Sequence, residues 1–79
     1  MNNIVKVAVE NLSYSADKLY DYKVPAELID KVSIGIRVLV PFGIGNKKRQ
    51  AIVLGINDTS QTKNLKSVWA VLDEAPLLN

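Results

Sequence analysis

The stretch that decides the fold is Gly35-Ile36-Arg37-Val38-Leu39-Val40-Pro41-Phe42-Gly43. Residues 36–40 are mostly β-branched and have high strand propensity, and Pro41 ends the run because proline cannot donate to a sheet ladder. The glycines and polar residues of 42–48 are typical of a hairpin connection. Since residues 50–56 then supply an apolar return strand, we predict a β-hairpin at the centre of the domain.

Three further extended segments flank this hairpin. β-Branched or alternating residues predict each of them as a strand. A short helical turn is predicted at 26–32, where apolar residues recur at helical spacing. Polar loops are predicted at 10–17 and 57–64. The three flanking strands are predicted at residues 4–9, 20–24 and 65–72.

This succession of short strands predicts a mainly β domain. We expect a small curled antiparallel sheet, or an OB-like or SH3-like β-barrel of about five to six strands with one short helical turn, because closing a sheet removes its exposed edges. The 79 residues suffice for one domain, residues 1–79. The apolar residues Leu77 and Leu78 near the end suggest a fragment excised from a larger protein.

The composition excludes several kinds of site. The chain has no cysteine and no histidine, so it can form neither disulfides nor thiolate metal sites and lacks the commonest general base. It has neither an apolar run of about 20 residues nor a secretory signal, which predicts a soluble intracellular protein. There is no phosphate-binding glycine loop, and Asp17 and Asp21 form only a weak acid–base pair. We therefore expect binding rather than catalysis.

The positive charge is clustered although the net charge is only +2. Lys47, Lys48 and Arg49 are consecutive, and Lys63 and Lys66 follow within a short distance. A basic cluster of this kind attracts phosphate, but a solvated hairpin tip has the same composition. Charge alone leaves both interpretations open.

Four segments, in this order, resemble a known family. They are residues 20–25, with the sequence Tyr-Asp-Tyr-Lys-Val-Pro; residues 35–43, which end in Val-Pro-Phe-Gly; the strand at 51–54; and Leu65-Lys66-Ser67-Val68, which leads to Asp73 and Pro76. Each segment is weak evidence by itself, but the ordered set resembles the N-terminal DNA-binding domain of PriA, the bacterial replication-restart helicase. The resemblance covers essentially the whole chain.

The resemblance implies a domain that binds the 3′ end of the nascent leading strand at a stalled fork. It also implies that ATP, magnesium and zinc belong to other parts of the parent helicase, with none of them in this fragment. Expected partners are forked DNA and, for the parent, other primosome proteins and the single-strand-binding protein. The expected location is the bacterial cytoplasm, at the nucleoid and away from membranes.

The family's pocket residues correspond to Tyr20, Asp21, Gly43 and Lys66 in this sequence. The resemblance implies that Tyr20 stacks on the terminal nucleotide, independently of base identity. Asp21 would accept a hydrogen bond from the 3′-hydroxyl and repel a 3′-phosphate. Gly43 would let the ligand approach the backbone, and Lys66 would bind the last phosphodiester.

Other residues have less specific expectations. Lys47, Lys48 and Arg49 are expected to add salt-dependent attraction to DNA beyond the pocket. Phe42 and Trp69 are assigned to the core or to a domain interface, whereas Tyr14 and Tyr22 remain unassigned. The competing interpretation is an SH3-like module that docks protein through an aromatic groove, and an RNA-binding barrel is a more distant one. The groove of the docking module would comprise Tyr14, Tyr20, Tyr22 and Trp69.

Overall fold

A computed structural model describes residues 3–10, 19–58 and 64–75 of the chain. The described residues form five strands and one short 3₁₀ helix. Among them, no helix is long and apolar enough to cross a bilayer. The elements are β1 (Ile4–Val9), β2 (Tyr20–Lys23), the 3₁₀ helix (Ala26–Lys31), β3 (Arg37–Phe42), β4 (Lys47–Asn57) and β5 (Ala70–Val71).

The strands form one sheet in the order β2-β1-β4-β3-β5, and each neighbouring pair is antiparallel. The β1–β4 pairing is interrupted by a bulge: Lys6 lies opposite Gly55 and Val7 opposite Val53, so Leu54 has no residue opposite it on β1. An extra residue on one strand bends that strand and increases its twist. The bulge therefore helps the sheet to curl at its centre.

The two edges of the curled sheet meet at one seam. Ser67, in the segment before β5, forms a parallel bridge with Lys23 of β2. Lys23 N–H donates to the Lys66 carbonyl, and Val68 N–H donates to the Lys23 carbonyl, each at 2.9 Å. The last segment thus bonds to edge strand β2 and then to β3 as β5. This arrangement confirms the predicted small, curled, mostly antiparallel β domain.

Valines of β1, β3 and β4 fill most of the core. Alternate residues of a strand point to one face, so β1 buries Val5 and Val7 while Lys6 between them points outward. β-Branched side chains suit this packing, and each fully buried valine contributes about 1.5–3 kcal/mol. The largest completely buried side chains are Val5, Val7, Val38, Val40, Val53 and Val68.

The predicted ends of two strands need correction. Pro41 was predicted to end its strand, but it lies within β3, which extends to Phe42. The final strand is Ala70–Val71 rather than 65–72, because residues 66–68 bond to β2 before the chain reaches β3. Trp69 lies at this change of partner and is 47% exposed, so it is not a core residue, and its alternative assignment to a domain interface stays a prediction. Phe42, by contrast, packs against the core.

An ion pair fixes the end of the last segment. The Asp73 carboxylate accepts hydrogen bonds from the Arg37 guanidinium, the shortest at 2.8 Å, and from the Arg37 backbone N–H at 3.0 Å. This hydrogen bonding lowers the pKa of Asp73 below its ordinary value, with burial opposing the shift, and raises the pKa of Arg37. The pair stabilises the beginning of β3 and the residues after β5 together.

Candidate nucleic-acid interface

The candidate site lies at one end of the seam between β3 and the last segment. The carbonyls of alternate residues in β3 and the turn after it point toward the seam, where they accept hydrogen bonds from different partners. The first two accept hydrogen bonds from backbone N–H groups, and the last two accept them from side chains. The donors and acceptors are Leu72 N–H to the Arg37 carbonyl at 2.9 Å, Trp69 N–H to the Leu39 carbonyl at 2.7 Å, Tyr22 Oη to the Pro41 carbonyl at 2.6 Å, and Lys66 Nζ to the Gly43 carbonyl at 2.9 Å.

Side chains replace strand pairing at this end because the part of the last segment that lies here, residues 66–68, bonds to β2 and not to β3. Tyr22 is buried, with 4% of its surface exposed, and its phenol bonds to the carbonyl of Pro41. Burial raises the pKa of the Tyr22 phenol above its ordinary value of 10.0, and nearby Tyr20 adds to the rise. Tyr22, unassigned from sequence, is therefore a core residue that joins β2 to β3.

Gly43 is open on the side where other residues carry a side chain. Its φ is +72°, a conformation that glycine adopts without strain, and its carbonyl also accepts the Asn46 N–H at 3.2 Å to close the turn. Apart from Gly43 and its two chain neighbours, no atom of the described residues lies within 4 Å of the position that a Cβ would occupy. This turn therefore leaves space beside its backbone where a ligand can approach.

Tyr20 and Phe42 provide aromatic rings beside this turn. Their ring centroids are 5.0 Å apart and the ring planes meet at 84°, an edge-to-face contact. Both are half-buried and pack against the core. Since Phe42 precedes Gly43 and Lys66 bonds to Gly43, three of the four predicted pocket residues are joined through this turn: Tyr20, Gly43 and Lys66.

Asp21 has a different position from the other three. Tyr22 points into the core and Tyr20 packs against it, so the carboxylate of Asp21 projects from the opposite face of β2. There its Oδ1 accepts a hydrogen bond from Lys6 Nζ at 3.0 Å, and 12% of the Asp21 side chain is exposed. The register places Asp21 directly opposite Lys6, between residues of both strands that pack toward the core.

The predicted auxiliary cations lie at the start of β4. Lys47, Lys48 and Arg49 are all exposed, as both sequence-based interpretations of the cluster allow. They pair with Phe42, Pro41 and Val40, respectively. The basic residues therefore flank the turn that contains Gly43. Lys63, Tyr14 and Asp17 lie outside the described residues.

Sequence reasoning missed two contributors to this site. Phe42 was assigned to the core, but it also contacts the ring of Tyr20; its place next to Gly43 in the sequence was the available signal. Lys6 was taken only as part of a strand. A lysine within an otherwise apolar run indicates an outward position, but it does not reveal that Asp21 lies opposite.

Comparison with known proteins identifies the family. Residues 5–79 match the family model of the PriA 3′DNA-binding domain (3′BD). The chain belongs to this family. Its match to the family model extends over the sheet from Val5 of β1 onward and includes all four of the predicted pocket residues.

Individual PriA proteins are also similar to this chain. Replication restart protein PriA of Bacillus subtilis (strain 168) is 35% identical over 78 residues, which cover 96% of this chain and 9% of that protein. PriA of Haemophilus influenzae (strain ATCC 51907 / DSM 11121 / KW20 / Rd) is 43% identical over 77 residues, 94% of this chain and 10% of that protein. The chain therefore spans about a tenth of the length of these curated relatives. No solved structure matches at a comparable level of significance.

Proposed function

We propose that this PriA 3′BD chain holds the free 3′-hydroxyl end of a nascent DNA strand at a stalled replication fork, whatever its sequence. The observation that carries the proposal is the joining of Tyr20, Gly43 and Lys66 at one end of the seam, within a domain of this family. An aromatic ring, an open stretch of backbone and an ammonium group together suit a nucleotide that is recognised without reading its base. Binding there would target a larger PriA protein to forks for replication restart.

Tyr20 and Lys66 have complementary tasks in this proposal. The Tyr20 ring stacks on the terminal base or sugar, an interaction worth about 1–3 kcal/mol per base that is available to every base. Lys66 binds the last phosphodiester. An ammonium group has three donors, so Lys66 can bind a phosphate and keep its bond to the Gly43 carbonyl.

Asp21 is the proposed sensor of the strand end; because it projects from the other face of β2 than Tyr20, the terminal nucleotide would contact both residues around this edge strand. An ionised carboxylate has about four acceptor positions, so it can accept a hydrogen bond from a hydroxyl while Oδ1 bonds to Lys6. The Lys6 charge offsets the repulsion that a carboxylate would otherwise exert on a whole DNA strand. A 3′-phosphate would still be disfavoured, because it brings negative charge directly against the carboxylate.

The remaining functions of a PriA protein are proposed for regions beyond this chain. They comprise ATP-dependent 3′-to-5′ unwinding with magnesium, a zinc site, and binding of other primosome proteins and the single-strand-binding protein in the cytoplasm. The chain itself does not fit zinc, because it contains no cysteine and no histidine and its described residues form no cluster of metal-ligating side chains. The domain proposed here only binds DNA.

The end-sensing role can be tested by comparing two oligonucleotides that differ only at the 3′ end. Fluorescence anisotropy should show that the protein binds a 3′-hydroxyl end about 10-fold or more tightly than a 3′-phosphate end, because a hydrogen bond to a charged group is worth about 1.5–3 kcal/mol. Asp21→Asn should reduce this preference to about twofold or less, because an uncharged amide makes a weaker hydrogen bond to the hydroxyl and no longer repels the phosphate.

A matched control removes the same charge elsewhere. Asp30 is exposed on the 3₁₀ helix, and Asp30→Asn should keep the full preference for the hydroxyl end. If Asp21→Asn retained the preference of the unmodified protein, the role of Asp21 would be refuted. If the unmodified protein bound both ends equally, end recognition itself would be refuted.

A further inference from the structure

The hairpin of β3 and β4 separates its three consecutive cations between two faces. Residues directly opposite each other on antiparallel strands point to the same face, and successive residues alternate. Lys47 lies opposite Phe42, and Arg49 lies opposite the fully buried Val40. Lys47 and Arg49 therefore project from the face of the hairpin that carries Phe42.

Lys48 projects from the other face. It pairs with Pro41, between the two positions that define the core side of β3. Lys48 is exposed like its neighbours and carries the same charge, but it points away from the ring of Phe42. One residue of sequence thus separates cations on opposite surfaces of the domain.

The face of Lys47 and Arg49 is continuous with the aromatic pair, since Phe42 contacts the ring of Tyr20. Residues two apart on a strand are separated by about 6.8 Å, which is comparable with the spacing of consecutive phosphates along an extended single strand. This face accordingly carries a row of side chains. The row begins with the stacking ring of Tyr20, passes Phe42 and continues as the positive charge of Lys47 and Arg49.

We propose that the single strand leading to the bound 3′ end runs along this row, with its phosphates on Lys47 and Arg49 and away from Lys48. The inference rests on the proposed function, because the row is anchored at the proposed site of the terminal nucleotide. It assigns an ordered path to the DNA, where charge clustering alone predicts a general attraction by all three cations.

The test is the salt dependence of DNA binding in charge-removing variants. The logarithm of the association constant should be measured against the logarithm of salt concentration, with a single-stranded oligonucleotide that ends in a 3′-hydroxyl. Each lost phosphate contact reduces the slope by about 0.7 for a single strand. Lys47→Gln and Arg49→Gln should each show this reduction and the double variant about 1.4, whereas Lys48→Gln, the matched control, should keep the original slope.

The outcomes separate this inference from the proposed function. If Lys48→Gln changed the slope as much as Lys47→Gln, the ordered path would be overturned even if the preference for a 3′-hydroxyl remained. If the slopes followed the two faces while hydroxyl and phosphate ends bound equally, the path would stand and end recognition would fail. Failure of the unmodified protein to bind single-stranded DNA would overturn both.

Discussion

Removing one hydroxyl at the seam should measurably destabilise the whole domain. Tyr22→Phe keeps the buried ring but deletes the 2.6 Å hydrogen bond to the Pro41 carbonyl, which is itself in a buried residue. A buried polar group that loses its partner costs about 1–3 kcal/mol. Each 1 kcal/mol corresponds to about 4–8 °C in Tm for a domain of this size, so we expect Tm to fall by roughly 5–20 °C.

The assay is urea unfolding, monitored by the fluorescence of Trp69, the single tryptophan. The backbone N–H of Trp69 donates to β3 on the same seam. A free energy of unfolding within about 0.3 kcal/mol of the unmodified protein, well below the cost of an unsatisfied buried group, would refute the role of this hydrogen bond. The raised pKa of Tyr22 adds a sign test. The buried phenol stabilises the fold below its unfolded pKa near 10, and this contribution is lost as pH rises through the folded pKa. Tyr22→Phe should lose less stability than the unmodified protein over that alkaline range.

Three further variants test the site and the fold. Gly43→Ala and Gly45→Ala both place a side chain at positive φ in open space among the described residues, so each should cost about 1–2 kcal/mol of stability. Only Gly43→Ala should also weaken DNA binding, by roughly tenfold. Equal DNA affinities of the two variants in an anisotropy titration would contradict the proposed approach of the ligand to Gly43. Lys66→Gln should weaken binding to every 3′ end and reduce the salt slope by about 0.7, and an unchanged slope would show that Lys66 does not contact phosphate. Asp73→Asn should be less stable than the unmodified protein at neutral pH. Because the pKa of Asp73 is lowered in the folded state, its carboxylate stabilises the fold fully above a pH of about 3.8, and this stabilisation is lost as pH falls through the folded pKa. Free energies of unfolding measured down an acid titration should therefore converge for the two proteins, and a constant difference between them would contradict the role of the Arg37 pair.

The strands were predictable because their signals are local. β-Branched runs predicted β1 and β3 close to their observed bounds, and Pro25 marked the region just after β2. Pro41 was predicted to end its strand, but it lies within β3, which extends to Phe42. Proline is tolerated there because the N–H and C=O of a strand residue point to the same side. The Pro41 carbonyl points to the seam, where it accepts a hydrogen bond from Tyr22, so no N–H toward β4 is missing.

The seam was not predictable from local pattern. The continuous apolar character of residues 65–72 predicts one strand, and nothing in it signals that Lys66 to Val68 pair with β2 before β5 pairs with β3. This change of partner depends on the curvature of the whole sheet. Since Trp69 lies where the partner changes, it is exposed rather than in the core, which was one of its two predicted places.

The sequence named candidate site residues but could not supply their geometry. Family resemblance named Tyr20, Asp21, Gly43 and Lys66, and their positions in the fold came only from the structure. Strand alternation could have shown that Asp21 and Tyr20 point to opposite faces of β2. The pairing of Asp21 with Lys6 could be predicted only from the β1–β2 register, which is a long-range property.

The most direct test of the account is the binding of the unmodified protein to three single-stranded DNAs of the same base composition. One ends in a 3′-hydroxyl, one ends in a 3′-phosphate, and one is a closed circle; fluorescence anisotropy is measured at low and moderate salt. Recognition of the strand end by this domain predicts the tightest binding to the free hydroxyl at both salt concentrations, with all affinities falling as salt rises. Equal binding to all three DNAs would contradict it.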